Sequence, residues 1–158
     1  MNREMAETLV RTGPGTRMGN LMRRYWVPIL LSREIADPDG PQVRVQILGE
    51  KLLAFRDTEG QVGLIGEFCS HRGASLFFGR NEEGGIRCVY HGWKFDADGN
   101  CLAMANVPAT QDFKHMVHAK AYKAAERTGI VWVFIGKQQY ASPLPELAGA
   151  TGEATRPI

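Results

Sequence analysis

Cys69-Ser70-His71-Arg72-Gly73 and Cys88-Val89-Tyr90-His91-Gly92-Trp93 are the two runs on which the reading of this chain turns. The first is C-x-H and the second C-x-x-H, with sixteen residues between His71 and Cys88. Each run offers one thiolate and one imidazole from a single loop. That donor set suits a [2Fe–2S] centre in which two histidines replace two cysteines on one iron. Soft thiolates suit the iron that stays ferric, and neutral imidazoles suit the iron that accepts the electron. Gly73 and Gly92 come just after the histidines, where they let the backbone turn sharply and approach the cluster. Candidate ligands are therefore Cys69, His71, Cys88 and His91, and the expected task is one-electron transfer.

Three other readings use the same or nearby residues. A Cys₂His₂ zinc site has the same donors, but zinc fingers pair two like ligands per loop, and here each loop gives one of each. A disulfide between Cys69 and Cys88 is the second; three cysteines, no secretory signature and two histidines at ligand spacing speak against it. The third is Asp112-Phe113-Lys114-His115-Met116-Val117-His118, a D-x₂-H-x₂-H run with the residue types of a mononuclear iron site. If that segment is extended, His115 and His118 point to opposite faces, which leaves two surface histidines. Cys101, just past a turn, reads as a buried structural thiol and receives no role.

Outward from the two runs the signal is β. Val43, Val45 and Ile47 alternate with Arg44, Gln46 and Leu48, so one face is apolar. Gly49-Glu50 reads as a turn into Leu52–Phe55, and Asp57–Gly60 as a second turn into Val62–Ile65. Asn81–Gly85 reads as a polar turn before Ile86–Val89, and Asp96–Gly99 as a hairpin turn. Ile130–Ile135 is nearly all apolar, as in a central strand covered on both faces. Ahead of these, residues 1–10 suggest a helical turn, and Met18–Tyr25 a short helix with Leu21, Met22 and Tyr25 on its apolar face. Gly13-Pro14-Gly15 is a breaker rather than a phosphate loop, since Pro14 lacks an N–H and no P-loop lysine follows. The fold class is all-β: a small antiparallel sandwich with a short N-terminal helix. Its divisions are an arm over 1–26, a domain over 27–137, and a Pro- and Gly-broken linker or tail over 138–158.

The string CSHRGASL (Cys69–Leu76) followed by CVYHGWKF (Cys88–Phe95) resembles the Rieske domain of Rieske non-haem iron oxygenases. Arg11–Thr16 with Met18–Trp26 resembles the phthalate dioxygenase branch, and the resemblance runs to about Gly136. It implies a Rieske-type sandwich with two cluster-binding loops projecting from one end. It also implies that Cys69 and Cys88 bind one iron and His71 and His91 the other. Such oxygenases attack aromatic compounds at a mononuclear Fe(II) held in a second, larger catalytic domain. At 158 residues this chain fits one domain, so the second centre is expected elsewhere and the chain alone should not turn over substrate. The electron donor implied is a reductase or ferredoxin, and the full-length protein is implied to be a homo-oligomer. A free-standing Rieske-type ferredoxin is the alternative; the arm from Arg11 to Trp26 favours the oxygenase.

High-potential Rieske proteins carry a serine and a tyrosine after the second histidine-glycine pair, with hydroxyls that reach cluster sulfurs. Trp93 and Phe95 stand at those places here, and Tyr90 replaces a stapling cysteine. Fewer hydrogen bonds to the sulfurs place the potential near the low end of the Rieske range. Arg72, Arg80, Arg87 and Lys94 flank the motifs and suggest either a docking patch for an acidic donor or a solvated surface.

Composition excludes other classes. Apolar residues make up 44%, as in an ordinary globular domain. A formal net charge of +2 is too small to imply nucleic acid or a membrane surface. No apolar run approaches transmembrane length, and the N-terminus, with Glu4 and Glu7, lacks a signal-peptide core, so the cytoplasm is expected.

Overall fold

The computed structural model describes residues 2–137, 141–144 and 146. Two short helices open the chain. In α1 (Arg3–Val10) the Asn2 side chain accepts from the Met5 N–H, and in α2 (Arg17–Met22) Thr16 accepts from the Gly19 N–H. Each cap satisfies an N–H that the helix itself leaves free. The strands are β1 (Trp26–Leu31), β2 (Val43–Ile47), β3 (Glu50–Arg56), β4 (Val62–Gly66), β5 (Arg80–Glu82), β6 (Gly85–Arg87), β7 (Trp93–Phe95), β8 (Cys101–Met104), β9 (Lys123–Arg127) and β10 (Ile130–Phe134). They form three antiparallel sheets in the orders β1-β10-β9, β2-β3-β4 and β5-β6-β7-β8.

The β2-β3-β4 sheet is shared between two cores. Side chains alternate along a strand, so Leu52, Ala54 and Leu64 join Leu30, Val131 and Val133 on one side. Leu53, Phe55 and Ile65 join Ile86, Trp93 and Phe95 on the other, together with Cys69 and Cys88. Leu52, Leu53, Ala54 and Phe55 are all at 1% exposure or less. Each such large apolar side chain contributes about 1.5–3 kcal/mol. β3 is thus covered on both faces. β10 is central in its own sheet; it buries Val131 and Val133 on one face, and on the other it buries Phe134 while Trp132 is half-buried.

Three local expectations shift. The hairpin turn after β2 is Leu48-Gly49, with φ of 48° and 77°, and Glu50 already belongs to β3. Leu48 tolerates the left-handed conformation because its side chain is buried in the core. Asn81 and Glu82 lie in β5, and the turn narrows to Glu83-Gly84, both at positive φ, as in a two-residue hairpin. Finally, α2 stops at Met22, and Leu21 and Tyr25 are exposed.

Of the expected apolar face Met22 packs against the core, and a cation holds the arm besides. Arg23 Nη1 donates to the carbonyls of Thr12 and Gly19, and its Nη2 donates to Leu48 O and Glu50 Oε1. Glu50, buried at the start of β3, also accepts from Tyr122 Oη and pairs with Lys120. Of the expected tail, 138–140, 145 and 147–158 lie outside the described residues. Nearby, Ser142 O accepts from Trp26 Nε1, and Leu144 O accepts from Arg127 Nη1. No helix among the described residues is long and apolar enough to cross a membrane.

Candidate metal centre

Two connections bring the motifs together. The first leads from β4 in the shared sheet to β5 in the third sheet, and the second joins β6 to β7 within the third sheet. They close with the same hydrogen bonds. Cys69 N–H donates to Ala74 O and Gly73 N–H to Cys69 O, both at 2.9 Å. Cys88 N–H donates to Trp93 O at 2.8 Å and Gly92 N–H to Cys88 O at 3.0 Å. Gly73 and Gly92 sit at φ of 71° and 72°, the left-handed region that both turns require. Two different spacings, C-x-H and C-x-x-H, therefore run over one backbone motif.

The side chains pair by type. The thiols of Cys69 and Cys88 are buried in one core cluster. All three cysteines are free thiols. The His71 and His91 rings lie 4.7 Å apart between centroids, and both are half-buried. Among the described residues, no three His, Cys, Asp or Glu side chains gather around one ion.

The electrostatics suit metal ligation. Burial pushes the Cys69 thiol up to about 11, and neighbouring Cys88 pushes the same way. The backbone N–H groups of His71 and Arg72 act against it by donating to the sulfur. A metal that replaces the proton would find those donors already aimed at the thiolate. Burial, the His91 ring and the Arg72 charge all hold His71 below the ordinary imidazole value. That shift favours the neutral form, the one that ligates a metal. Nδ1 of His91 is buried and has no hydrogen-bond partner. Such an orphan costs about 1–3 kcal/mol, and a metal bond would relieve it. These donors fit an iron–sulfur cluster held by two thiolates and two imidazoles.

The surroundings include residues the motifs do not name. Trp93 stacks on His71, with centroids 4.3 Å apart and planes 9° from parallel. Glu67 Oε1 accepts from Arg44 Nε at 2.9 Å and from Ser75 Oγ at 2.7 Å, which braces the first loop to β2. Gln42 Nε2 donates to Phe77 O and Gly79 O further along the same loop. These braces span more than twenty residues in the case of Arg44 and Glu67, and no local pattern announces them.

Asp112, His115 and His118 do not form a second site. Both histidines are exposed, and Asp112 is paired with Lys114. The segment acts as a strap instead: His118 bridges to Asn100, and its carbonyl accepts from Ser70 Oγ on the first loop. Cys101 is buried in the same core as the two loop cysteines, with its Sγ against Ala103 O. The proposed basic patch shrinks. Arg80 and Arg87 pair with Glu82, and Arg87 and Lys94 pair with Glu83. Arg72 is exposed and joins none of these pairs.

The family described as Rieske [2Fe-2S] domain matches residues 25–124. The 3-chlorobenzoate-3,4-dioxygenase oxygenase subunit of Comamonas testosteroni is 51% identical over 141 residues, covering 89% of this chain and 32% of that protein. The phthalate 4,5-dioxygenase oxygenase subunit of Pseudomonas putida is 47% identical over 130 residues, covering 82% and 30%. The chain thus spans about a third of the length of the curated relatives it matches. Among solved structures, dicamba monooxygenase bound to dicamba superposes with a TM-score of 0.72 at 24% identity, over 83% of this chain and 41% of the other. That likeness shows the fold.

Proposed function

This chain belongs to the Rieske [2Fe–2S] domain family, and from that premise we propose that it is the electron-relay domain of an oxygenase acting on aromatic compounds. Cys69 and Cys88 hold one iron of the cluster, and His71 and His91 hold the other. The observation that carries this assignment is that the same two loops bring two buried thiols into one core cluster and two imidazoles to 4.7 Å between centroids. When bound, the cluster supplies a one-electron store. The chain's own residues do the rest. The N–H groups of His71 and Arg72 steady negative charge on Cys69, Trp93 and its core neighbours exclude water from the sulfur side, and the half-exposed histidines leave an edge open to partners.

In this reading the electron donor is a reductase or ferredoxin, and the acceptor is a mononuclear Fe(II) centre in the part of such oxygenases that this chain does not match. The chain alone turns over no substrate. Residues 1–26 serve as an arm, 27–137 as the cluster domain and 138–158 as a linker or tail. The full protein works as a homo-oligomer in the cytoplasm, without nucleic acid or membrane. The likeness to oxygenase subunits at 47% identity and above favours this over a free-standing ferredoxin.

The test is iron, zinc and acid-labile sulfide per chain, with EPR after anaerobic reduction. Two irons, two sulfides and a Rieske-type signal are expected. The midpoint should lie near the low end of a range of about −150 to +300 mV, because Trp93 and Phe95 offer no hydroxyl and Ser70 spends its own on His118 O. Zinc without sulfide would end the reading.

A further inference from the structure

Asn106 lies outside both loops, on the turn after β8, and it is exposed. Its Oδ1 accepts a hydrogen bond from Trp93 Nε1 at 2.6 Å. The same indole lies flat on His71 at 4.3 Å, and Phe113 meets it edge-on with centroids 6.1 Å apart. The contact crosses between loops, since Trp93 follows the second motif and His71 belongs to the first. His91 is flanked differently. Its ring is tilted 39° against Tyr90, which is 60% exposed.

Stacking fixes the plane of a ring but leaves the partner free to slide within that plane. An N–H bond at the indole edge removes the remaining freedom. Partners beyond the direct ligands often orient metal-binding histidines in this way. We propose that Asn106 is a positioning residue for His71, acting through Trp93 to set the plane in which that imidazole meets its iron. The inference rests on His71 being a ligand, as proposed above. A role limited to satisfying a buried indole N–H would leave the electronic structure of the cluster untouched, and that difference makes it testable.

The experiment compares the cluster-loaded full chain with Asn106→Leu, which keeps the size but removes the acceptor, and Asn106→Gln, which keeps an acceptor. Asn106→Leu should retain two irons and two sulfides. It should broaden the reduced-state EPR features and lose its cluster to a chelator about 10-fold faster. Asn106→Gln should fall closer to wild type. In a Trp93→Phe background, which lacks the N–H, Asn106→Leu should add nothing further. An unchanged line shape in Asn106→Leu overturns the inference. So does an effect that persists in Trp93→Phe, an equal effect of Leu and Gln, or a failure of Asn106→Leu to fold. A wild-type chain without a Rieske-type signal would instead sink the ligand assignment itself.

Discussion

The Cys69 loop and the Cys88 loop close on matching hydrogen bonds and matching left-handed glycines, yet they are held in different ways. The first is long, crosses from one sheet to another, and is tied down from outside by Arg44, Gln42 and His118. The second is a tight turn between neighbouring strands, held by its own sheet. The lesson is that the hydrogen-bonded frame sets where donors sit, while the packing around it sets how firmly each ring is oriented. By that measure His71, with Trp93 flat against it, is the firmer ring, and His91 beside exposed Tyr90 is the softer one.

The severest way to break this comparison is to remove the aromatic beside each histidine. Trp93 is 6% exposed and packs with Phe95, Cys69 and Cys88. Trp93→Ala should cost about 3–5 kcal/mol. The damage should fall on the first loop's histidine although the substitution is in the second loop's flank. Tyr90→Ala should stay within about 0.5 kcal/mol, as exposed positions usually do. Urea denaturation of both variants checks the ranking, and equal losses would remove the distinction between the two rings.

The glycines sharpen it further. A Cβ on either Gly73 or Gly92 meets the left-handed penalty of roughly 1–2 kcal/mol. At Gly73 the Cβ would have open space, whereas at Gly92 it would lie 2.7 Å from the Ala105 Cβ. Gly92→Ala should therefore be worse, because overpacking typically adds about 1–3 kcal/mol. Denaturation midpoints and cluster content of the two variants decide it. A Gly73→Ala as damaging as Gly92→Ala would mean that loop conformation alone, without packing, governs both.

Acid should single out the brace on the first loop. Burial pushes the Glu67 carboxyl up, but hydrogen bonds from Ser75 and Arg44, with the charges of Arg44 and Lys51, outweigh it and leave the pKa below the usual 4.5. A depressed carboxylate stabilises the fold above its unfolded value, and that contribution is lost as pH falls through the lower folded value. Wild type should thus lose stability as pH drops below 4.5, and Glu67→Gln should be weaker near neutrality yet flatter over that acid range. A Glu67→Gln curve parallel to wild type would show that the brace is electrostatically idle.

Much of this arrangement was legible in the sequence, for stated reasons. The four donors and the two turn glycines stand within short runs, where spacing alone limits geometry. The strand alternation of Val43–Ile47 and the turn chemistry of Asp57–Gly60 are local as well. What was not legible depends on distant partners. Arg23 carries no local signal, because its anchors at Leu48 and Glu50 are 25 and 27 residues away. Asn106 and Phe113 carry no motif and gain meaning only once the fold sets them against Trp93. The D-x₂-H-x₂-H run misleads for the opposite reason: its residue types are right for a metal, but the chain uses its backbone.

The smallest effect concerns charge around the two loops. The four basic residues flanking the motifs look alike in sequence, and pairing separates them. Glu82 and Glu83 neutralise Arg80, Arg87 and Lys94 on the second loop's side, and Arg72 beside His71 remains exposed. Complementary charge mainly speeds encounter, and salt screens exposed charges over about 10 Å at 0.1 M. Reduction by an acidic ferredoxin should therefore slow only modestly as salt rises, and Arg72→Gln should remove most of that slowing. Stopped-flow reduction across an ionic-strength series measures it. A steep salt dependence that survives Arg72→Gln would mean that the acidic partners of Arg80, Arg87 and Lys94 give way on docking, and that the second loop's flank is the more responsive of the two.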